Sequence, residues 1–262
     1  MTKGIRASIR SPVRAVYWAA YRTLLPVRFW ISDRWGGATS LPPARLRFRV
    51  TETLDPKAYR ATGTSAAQRL RRILAEAGHP LEGCESILDF GCGCGRTLAF
   101  LQTGANRTFG VDVDRESVEW CNAHIPGVLC QTGNADPPLD FPSGSFEVIY
   151  AISVFTHLDL ERQRVWRDEL CRLLRPGGLL LFTVHSGHIR QGHIGADGFS
   201  FEISAKLKGV LPEWYHTTFQ SHDSVLTVFG ERFASIACIP QGMGDQDVYL
   251  ASQTHSLPTP TA

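Results

Sequence analysis

The stretch SILDFGCGCGRTLAF, residues 86–100, closes a short apolar run on Asp89 and then gives up side chains at Gly91, Gly93 and Gly95. A brief apolar run bounded by glycine reads as a buried strand, and the spacing through Leu98 and Leu101 reads as a helix. Glycines between the two let the backbone turn sharply and let a ligand come where a Cβ would collide. The helix that follows offers free N–H groups, and in an open parallel sheet ligands collect beyond the carboxyl ends of the strands. The loop therefore predicts an α/β chain that holds something against bare backbone.

The same alternation continues around it. Ser65 with Gln68 reads as a capping box, Leu70, Ile73, Leu74 and Ala77 as one helix face, and Gly78 with Pro80 as its stop. RTFGVDVD reads as a second strand, followed by a helix over 115–124 with Asp114 as N-cap. FEVIYAISVF is a continuous apolar strand of the kind buried on both faces. Val165, Trp166, Leu170, Leu173 and Leu174 mark a helix over 160–174, and RPGG turns the chain into LLLFTVH. RFASIACIP and QDVYLASQT, joined by QGMGD, read as an antiparallel hairpin at the sheet edge. Strands alternating with helices predict a doubly wound, mostly parallel sheet.

Length allows one such domain with an appendage, and no window is apolar over the ~18 residues that a membrane span needs. With no recognisable signal peptide, a cytoplasmic location is expected. The seven cysteines lack paired spacing, which suits reduced thiols; Cys92 and Cys94 form a lone C-x-C pair that reads as small loop fillers, and no metal is expected. Charge is uneven. Residues 1–50 hold ten Lys and Arg against Asp33 alone, so they carry +9, and because the whole chain is +2 the remainder carries −7. Within this part Ile5, Ile9, Val13, Val16, Tyr17, Ala20 and Leu24 recur at helical spacing beside Arg6, Arg10 and Arg14, in a segment broken or started at Pro12. Two readings stand: peripheral contact of residues 1–30 with an anionic inner-membrane surface, or a helix packed on the domain with solvated arginines. Gly36, Gly37, Pro42, Pro43 and Pro56 suggest an extended connection over 32–56. The expected divisions are a basic N-terminal extension and linker (1–56), an α/β core (57–185), an acceptor-side lid (186–225), further strands of the same domain (226–252) and a disordered tail (253–262).

A dinucleotide loop, G-x-G-x-x-G, would need glycine at 96, where Arg96 stands. The observed D-x-G-x-G-x-G instead resembles the first motif of the class I S-adenosylmethionine-dependent methyltransferases. The resemblance runs over about residues 63–185 and more weakly to 250, with LLRPGGLLLFTV matching the family's turn and fifth strand. It implies a doubly wound, mostly parallel seven-stranded sheet with a C-terminal antiparallel hairpin, here carrying an N-terminal helical extension. The implied cofactor is S-adenosyl-L-methionine, leaving as S-adenosyl-L-homocysteine (SAH). Its implied contacts are the loop residues Asp89, Phe90, Gly91, Gly93 and Gly95, and Asp112 with Val113 at the ribose. Near the adenine stands Asp136, with Asn134 or Ala135 as alternatives one or two positions away, and Ile152 is a further implied cofactor contact. Asp89 is read equally as a residue that orients the loop backbone.

SVFTHL, PPARLRFRV and GDQDVYL further resemble a subgroup of bacterial methyltransferases that tailor glycans and natural products. That implies O-methylation of a sugar or small hydroxylated metabolite, a small-molecule or glycan acceptor. A hydroxyl acceptor gains from a base, for which His157 and His185 are the candidates, each with a structural role as the competing reading. His188, His193, His216 and His222, with Tyr215, would together make the lid side polar. Arg47 and Arg49 could reach the cofactor carboxylate or an anionic acceptor, or be surface charge. RNA or protein methylation is the second reading, with the acidic body arguing against nucleic acid and no N-P-P-[YF]-like tetrapeptide after the fourth strand. A cofactor-binding scaffold without catalysis is the third.

Overall fold

The computed structural model describes residues 12–35, 40–101, 107–186, 194–195, 198–202 and 216–253. The central strand is β1 (Ser86–Phe90), buried throughout and paired in parallel with β2 (Arg107–Asp112) on one side and β4 (Phe146–Ala151) on the other. β3 (Val128–Thr132) continues the sheet beyond β2, and β5 (Leu174–Ser186) continues it beyond β4. β9 (Gln246–Ser252) runs antiparallel to β5, and β8 (Ser235–Met243) antiparallel to β9. Strand order therefore reverses at β1, between β2 and β4, so the glycine loop leaves the sheet at its switch point.

Side-chain alternation explains why both faces of this sheet are covered. Ile87, Val148 and Leu179 point into one core with Leu70, Ile73 and Leu74 of α3 (Pro56–Glu76). Their neighbours Leu88, Ile149 and Leu180 point into the other with Trp166, Leu170 and Leu173 of α6 (Leu160–Leu173) and with Val225, Val228 and Phe229 of α7 (His222–Phe229). A strand buried on both sides loses the polar alternation of a surface strand, which is why FEVIYA is apolar from Val148 onward, with Glu147 half-buried near its start and paired to Arg175.

Among the described residues the sheet has nine strands, two more than the seven expected. The additional pair, β6 (Phe199–Glu202) and β7 (Thr217–Gln220), is antiparallel, and β7 joins the end of β5 at His185–Phe219 and Ser186–Gln220. Both fall in 186–225, where FSFE and TTFQ are too short for a period to stand out. His188, His193 and Tyr215 lie outside the described residues, as do residues 1–11 and 254–262.

Two local expectations are corrected. α3 begins at Pro56, not near Ser65: the Asp55 carboxylate accepts the Lys57 amide at 2.9 Å, and proline at the first position loses no helical hydrogen bond. Ser65 and Gln68 are mid-helix. The connection 32–56 is also not extended, since it contains α2 (Ala44–Thr51). α1 (Pro12–Trp35) lies on α2 through Phe29, with its ring 5.6 Å from Phe48, and through Asp33, which accepts the Ala44 amide at 2.7 Å, and its Leu25 is buried. Arg47 is wholly buried there, donating to the Pro42 carbonyl at 3.1 Å and to Ser32 Oγ at 2.7 Å, so it staples the N-terminal helices and does not reach the ligand side. Among the described residues no helix is long and apolar enough to cross a membrane.

Candidate cofactor and acceptor site

A cavity of about 1000 Å³ opens at the carboxyl ends of β1, β2 and β4. That is the upper end of the ~300–1,000 Å³ usual for small-molecule sites, enough for two molecules side by side. Asp89, Phe90, Gly91, Gly93, Asp112, Val113, Ala135, Ile152 and His157 line it. Gly95, Asp136 and His185 are not among its lining residues.

The loop runs on into the short helix α4 (Leu98–Leu101), and its geometry accounts for two of the glycines separately. Gly91 has φ +80°, and a Cβ there would run into the Val154 side chain, so glycine keeps the cavity wall open. Gly95 has φ +76°, and a Cβ there would meet Ile125 and come within 3.0 Å of Cys121 Sγ. Its glycine is thus required by the packing of α5 (Arg115–His124) behind the loop.

The two strand-end carboxylates differ in what they hold. Asp89 is buried, faces Tyr150 in the β1–β4 register, and accepts its hydroxyl at 2.9 Å; burial pushes the carboxyl well above its ordinary pKa. Asp112 accepts the Gly93 amide at 2.7 Å through Oδ2 and the Asp114 amide at 2.8 Å through Oδ1. Burial raises its pKa while those amides oppose the rise. An ionised carboxylate has about four acceptor directions, and the two amides use two, leaving capacity for two hydroxyl donors.

At the start of α5, Asp114 is the N-cap, yet its Oδ2 accepts from Ser117 Oγ at 2.8 Å and from Arg49 at 2.8 Å. Arg49 also reaches Glu116 at 3.0 Å, while Arg49 and Val50 line the cavity. α2 is therefore clamped over the loop by ion pairs to α5, with Arg49 already occupied by carboxylates.

On the far wall, nearest the expected adenine, Asn134 and Ala135 line the cavity, while Asp136 is exposed beside Arg162 at 3.7 Å. The loop 133–140 is irregular, so no period set which residue faces inward. Trp166 on α6 donates its Nε1 to the Ala135 carbonyl at 3.2 Å and packs its ring 4.6 Å from Phe90, giving an aromatic floor that the sequence reading missed. It also missed Arg96, Thr97, Ser153 and Val154. Ser153 and Val154 could have been found from their place just beyond the β4 end.

The histidines separate. His157 is nearly buried in the cavity wall, its Nδ1 2.8 Å from the His216 carbonyl. A carbonyl only accepts, so Nδ1 carries the proton and Nε2 is the acceptor nitrogen. Desolvation pushes the His157 pKa down to about 4. His185 is bound the same way to the Thr218 carbonyl at 3.1 Å, is lowered by burial, and sits behind, its ring 6.4 Å from that of His157. His216 and Thr218 flank or begin β7, so that short strand sets both tautomers.

Behind the loop, the thiols of Cys92, Cys121 and Cys130 lie within 4.8 Å of one another, all buried. Cys94 is apart from them, 3.2 Å from the Tyr59 hydroxyl. The C-x-C pair is therefore not a unit. Three sulfurs are one short of the tetrahedral set of a structural zinc site.

The residues present fit the cofactor that the glycine motif suggested: an open backbone cradle, a strand-end carboxylate with two acceptor directions left, and an aromatic floor beside a polar amide. Fold and site together define a class I S-adenosylmethionine-dependent methyltransferase domain. Residues 88–182 match the family model described as methyltransferase domain.

Similar proteins vary in what they are named for. The chain is 27% identical over 193 residues to the ribosomal protein L11 methyltransferase of Neisseria meningitidis serogroup C, covering 72% of this chain and 55% of that one. It is 27% identical over 147 residues to the rRNA N(6)-adenosine-methyltransferase metl-5 of Caenorhabditis elegans, covering 50% and 67%. The chain thus spans about half the length of the L11 methyltransferases it matches. The N-terminal domain of EvdMO1, crystallised in the presence of SAH and D-fucose, shares the fold with a TM-score of 0.54 at 13% identity, over 72% of this chain and 82% of that one.

Proposed function

We propose that this protein transfers a methyl group from S-adenosylmethionine to a hydroxyl oxygen of a sugar or small hydroxylated metabolite. The observation that carries the reading is His157: an imidazole held neutral, with Nε2 as acceptor nitrogen, in the wall of a cavity with room for cofactor and acceptor.

When bound, the cofactor supplies an activated methyl on a sulfonium. Asp112 accepts the ribose hydroxyls, charge-assisted bonds worth ~1.5–3 kcal/mol each. Asn134 and the Ala135 backbone stand at the adenine edge over the Phe90 and Trp166 rings, with Val113 and Ile152 closing its apolar sides. His157 would take the hydroxyl proton at Nε2, and the bound cofactor would supply the methyl group that the acceptor oxygen receives, leaving as neutral SAH. The proton taken by His157 would leave an imidazolium in the place of the charge that the cofactor brings as a sulfonium, so the net charge of the site would not change. Alignment of acceptor and methyl contributes ~7–11 kcal/mol in such displacements, with the base adding ~10²- to 10⁴-fold. His185 supports His157 from behind.

Segment 186–225 serves as the acceptor-side lid in this reading, the protein works in the cytoplasm, and residues 1–30 make a peripheral contact with the membrane. A protein or RNA acceptor is favoured by the names of the relatives and opposed by the −7 charge of residues 51–262.

The test is to incubate the protein with methyl-labelled cofactor and a cell extract split into lipid, small-molecule, glycan, RNA and protein fractions. Label in small molecules or glycans supports the proposal. Label in RNA or protein overturns the acceptor class, and cofactor binding with no product from any fraction favours a scaffold.

A further inference from the structure

α1 is apolar on the side that faces away from the protein. Its inner side is used: Leu25 and Phe29 pack inward, and Ser32 donates to the Leu54 carbonyl at 2.6 Å. On the opposite side Ala20, Leu24, Val27, Ile31 and Trp35 follow one another at steps of three and four, which stacks them in one stripe, with Trp30 at its border. Leu24 is 56% exposed, Trp30 62% and Trp35 77%, with Val27 and Ile31 also about half exposed. Five of the nine large hydrophobic side chains exposed among the described residues thus fall within twelve positions of one helix.

The charge around this stripe selects its partner. Arg28 and Arg34 are exposed on either side of it, and residues 1–35 hold seven Lys and Arg against Asp33 alone. A second copy laid on the same face would set two strongly basic segments together, which repel. A helix with apolar residues and tryptophan on one side and arginines flanking them suits the boundary of an anionic bilayer, where rings sit among headgroups and guanidinium groups meet phosphates. We propose that the 20–35 face of α1 is the surface by which the protein docks on an anionic lipid membrane. This rests on the peripheral contact proposed above and moves it from the segment centred on Ile5 to Leu24 onto the exposed side of a docked helix. α1 rests on α2, which supplies Arg49 and Val50 to the cavity wall, so docking sets the mouth of the site near the lipid surface.

The test is cosedimentation of the full chain with vesicles of phosphatidylcholine alone or mixed with phosphatidylglycerol, at low and high salt. The wild type is expected to bind the anionic vesicles and to release as salt rises. The Trp30→Ser/Trp35→Ser variant is expected to lose about tenfold or more in affinity while binding SAH like the wild type. A second variant, Arg28→Gln/Arg34→Gln, is expected to bind more weakly and with a flatter salt dependence. No wild-type cosedimentation at low salt overturns the proposal, as does undiminished binding by the tryptophan variant. A lipid-free dimer that the tryptophan variant dissolves overturns it in favour of a second copy. Failure of the wild type to bind SAH would count against the methyltransferase reading and leave the vesicle result standing.

Discussion

The Asp112 carboxylate accepts the Gly93 amide at 2.7 Å, tying the end of β2 to the middle of the glycine loop. One residue at a strand end thereby shapes the cradle and offers remaining acceptor directions to whatever lies in it. Asp112→Ala removes both, and cofactor affinity, measured by titration calorimetry, is expected to fall at least about tenfold, since a charge-assisted bond is worth ~1.5–3 kcal/mol. Unchanged affinity would remove Asp112 from the ribose.

His157→Gln is expected to lower kcat by about 10²- to 10⁴-fold with cofactor affinity unchanged, because the acceptor's proton loses its base while the cofactor wall stays intact. His185→Gln, one layer behind, is expected to cost less. Equal losses in the two variants would mean that the pair acts only by holding β7.

The same histidine makes stability depend on pH. Its folded pKa, about 4, lies below the ordinary 6.5, so between these values the unfolded chain binds more protons. Its contribution is constant above about pH 6.5 and is lost progressively as pH falls toward 4, reaching about 3 kcal/mol at ~1.4 kcal/mol per pKa unit. Urea melts of wild type and His157→Gln across that window should diverge as pH falls, the wild type losing more.

Gly91→Ala combines a positive φ with a collision against Val154. Strain of this kind costs ~1–3 kcal/mol, to be seen as a lower urea midpoint and weaker cofactor binding. Adding Val154→Ala should relieve the collision but not the backbone, so recovery is expected to be partial. Complete recovery would show that φ is unimportant there.

Arg47→Ala opens a hole between α1 and α2 and strands the Pro42 carbonyl and Ser32, for an expected loss of ~2–4 kcal/mol. Arg47→Lys should not restore it, because a point ammonium cannot reach both partners as the guanidinium fork does. Thermal melts of the three proteins decide this.

What was legible in the sequence was local. SILDF and FEVIYA are buried strands because short apolar runs bounded by turn residues have few other uses, and the helix over 115–124 was found to the residue because its period is its own. The bare backbone of the loop was equally readable, since D-x-G-x-G-x-G carries its geometry in its glycines, while the cofactor followed from the motif's resemblance to a family. Tertiary structure decided whatever depends on partners far along the chain. His157 lines the cavity and His185 does not, and their rings are oriented by carbonyls some 60 and 33 residues away, of His216 beside β7 and of Thr218 within it. Asn134 and Ala135, rather than Asp136, line the cavity, a choice an irregular loop gives no period to count. Arg47 is interior because α1 folds over α2, and Cys92 joins Cys121 and Cys130 because α5 and β3 pack behind the loop. Periodicity reports which side of an element is buried; only packing reports against what.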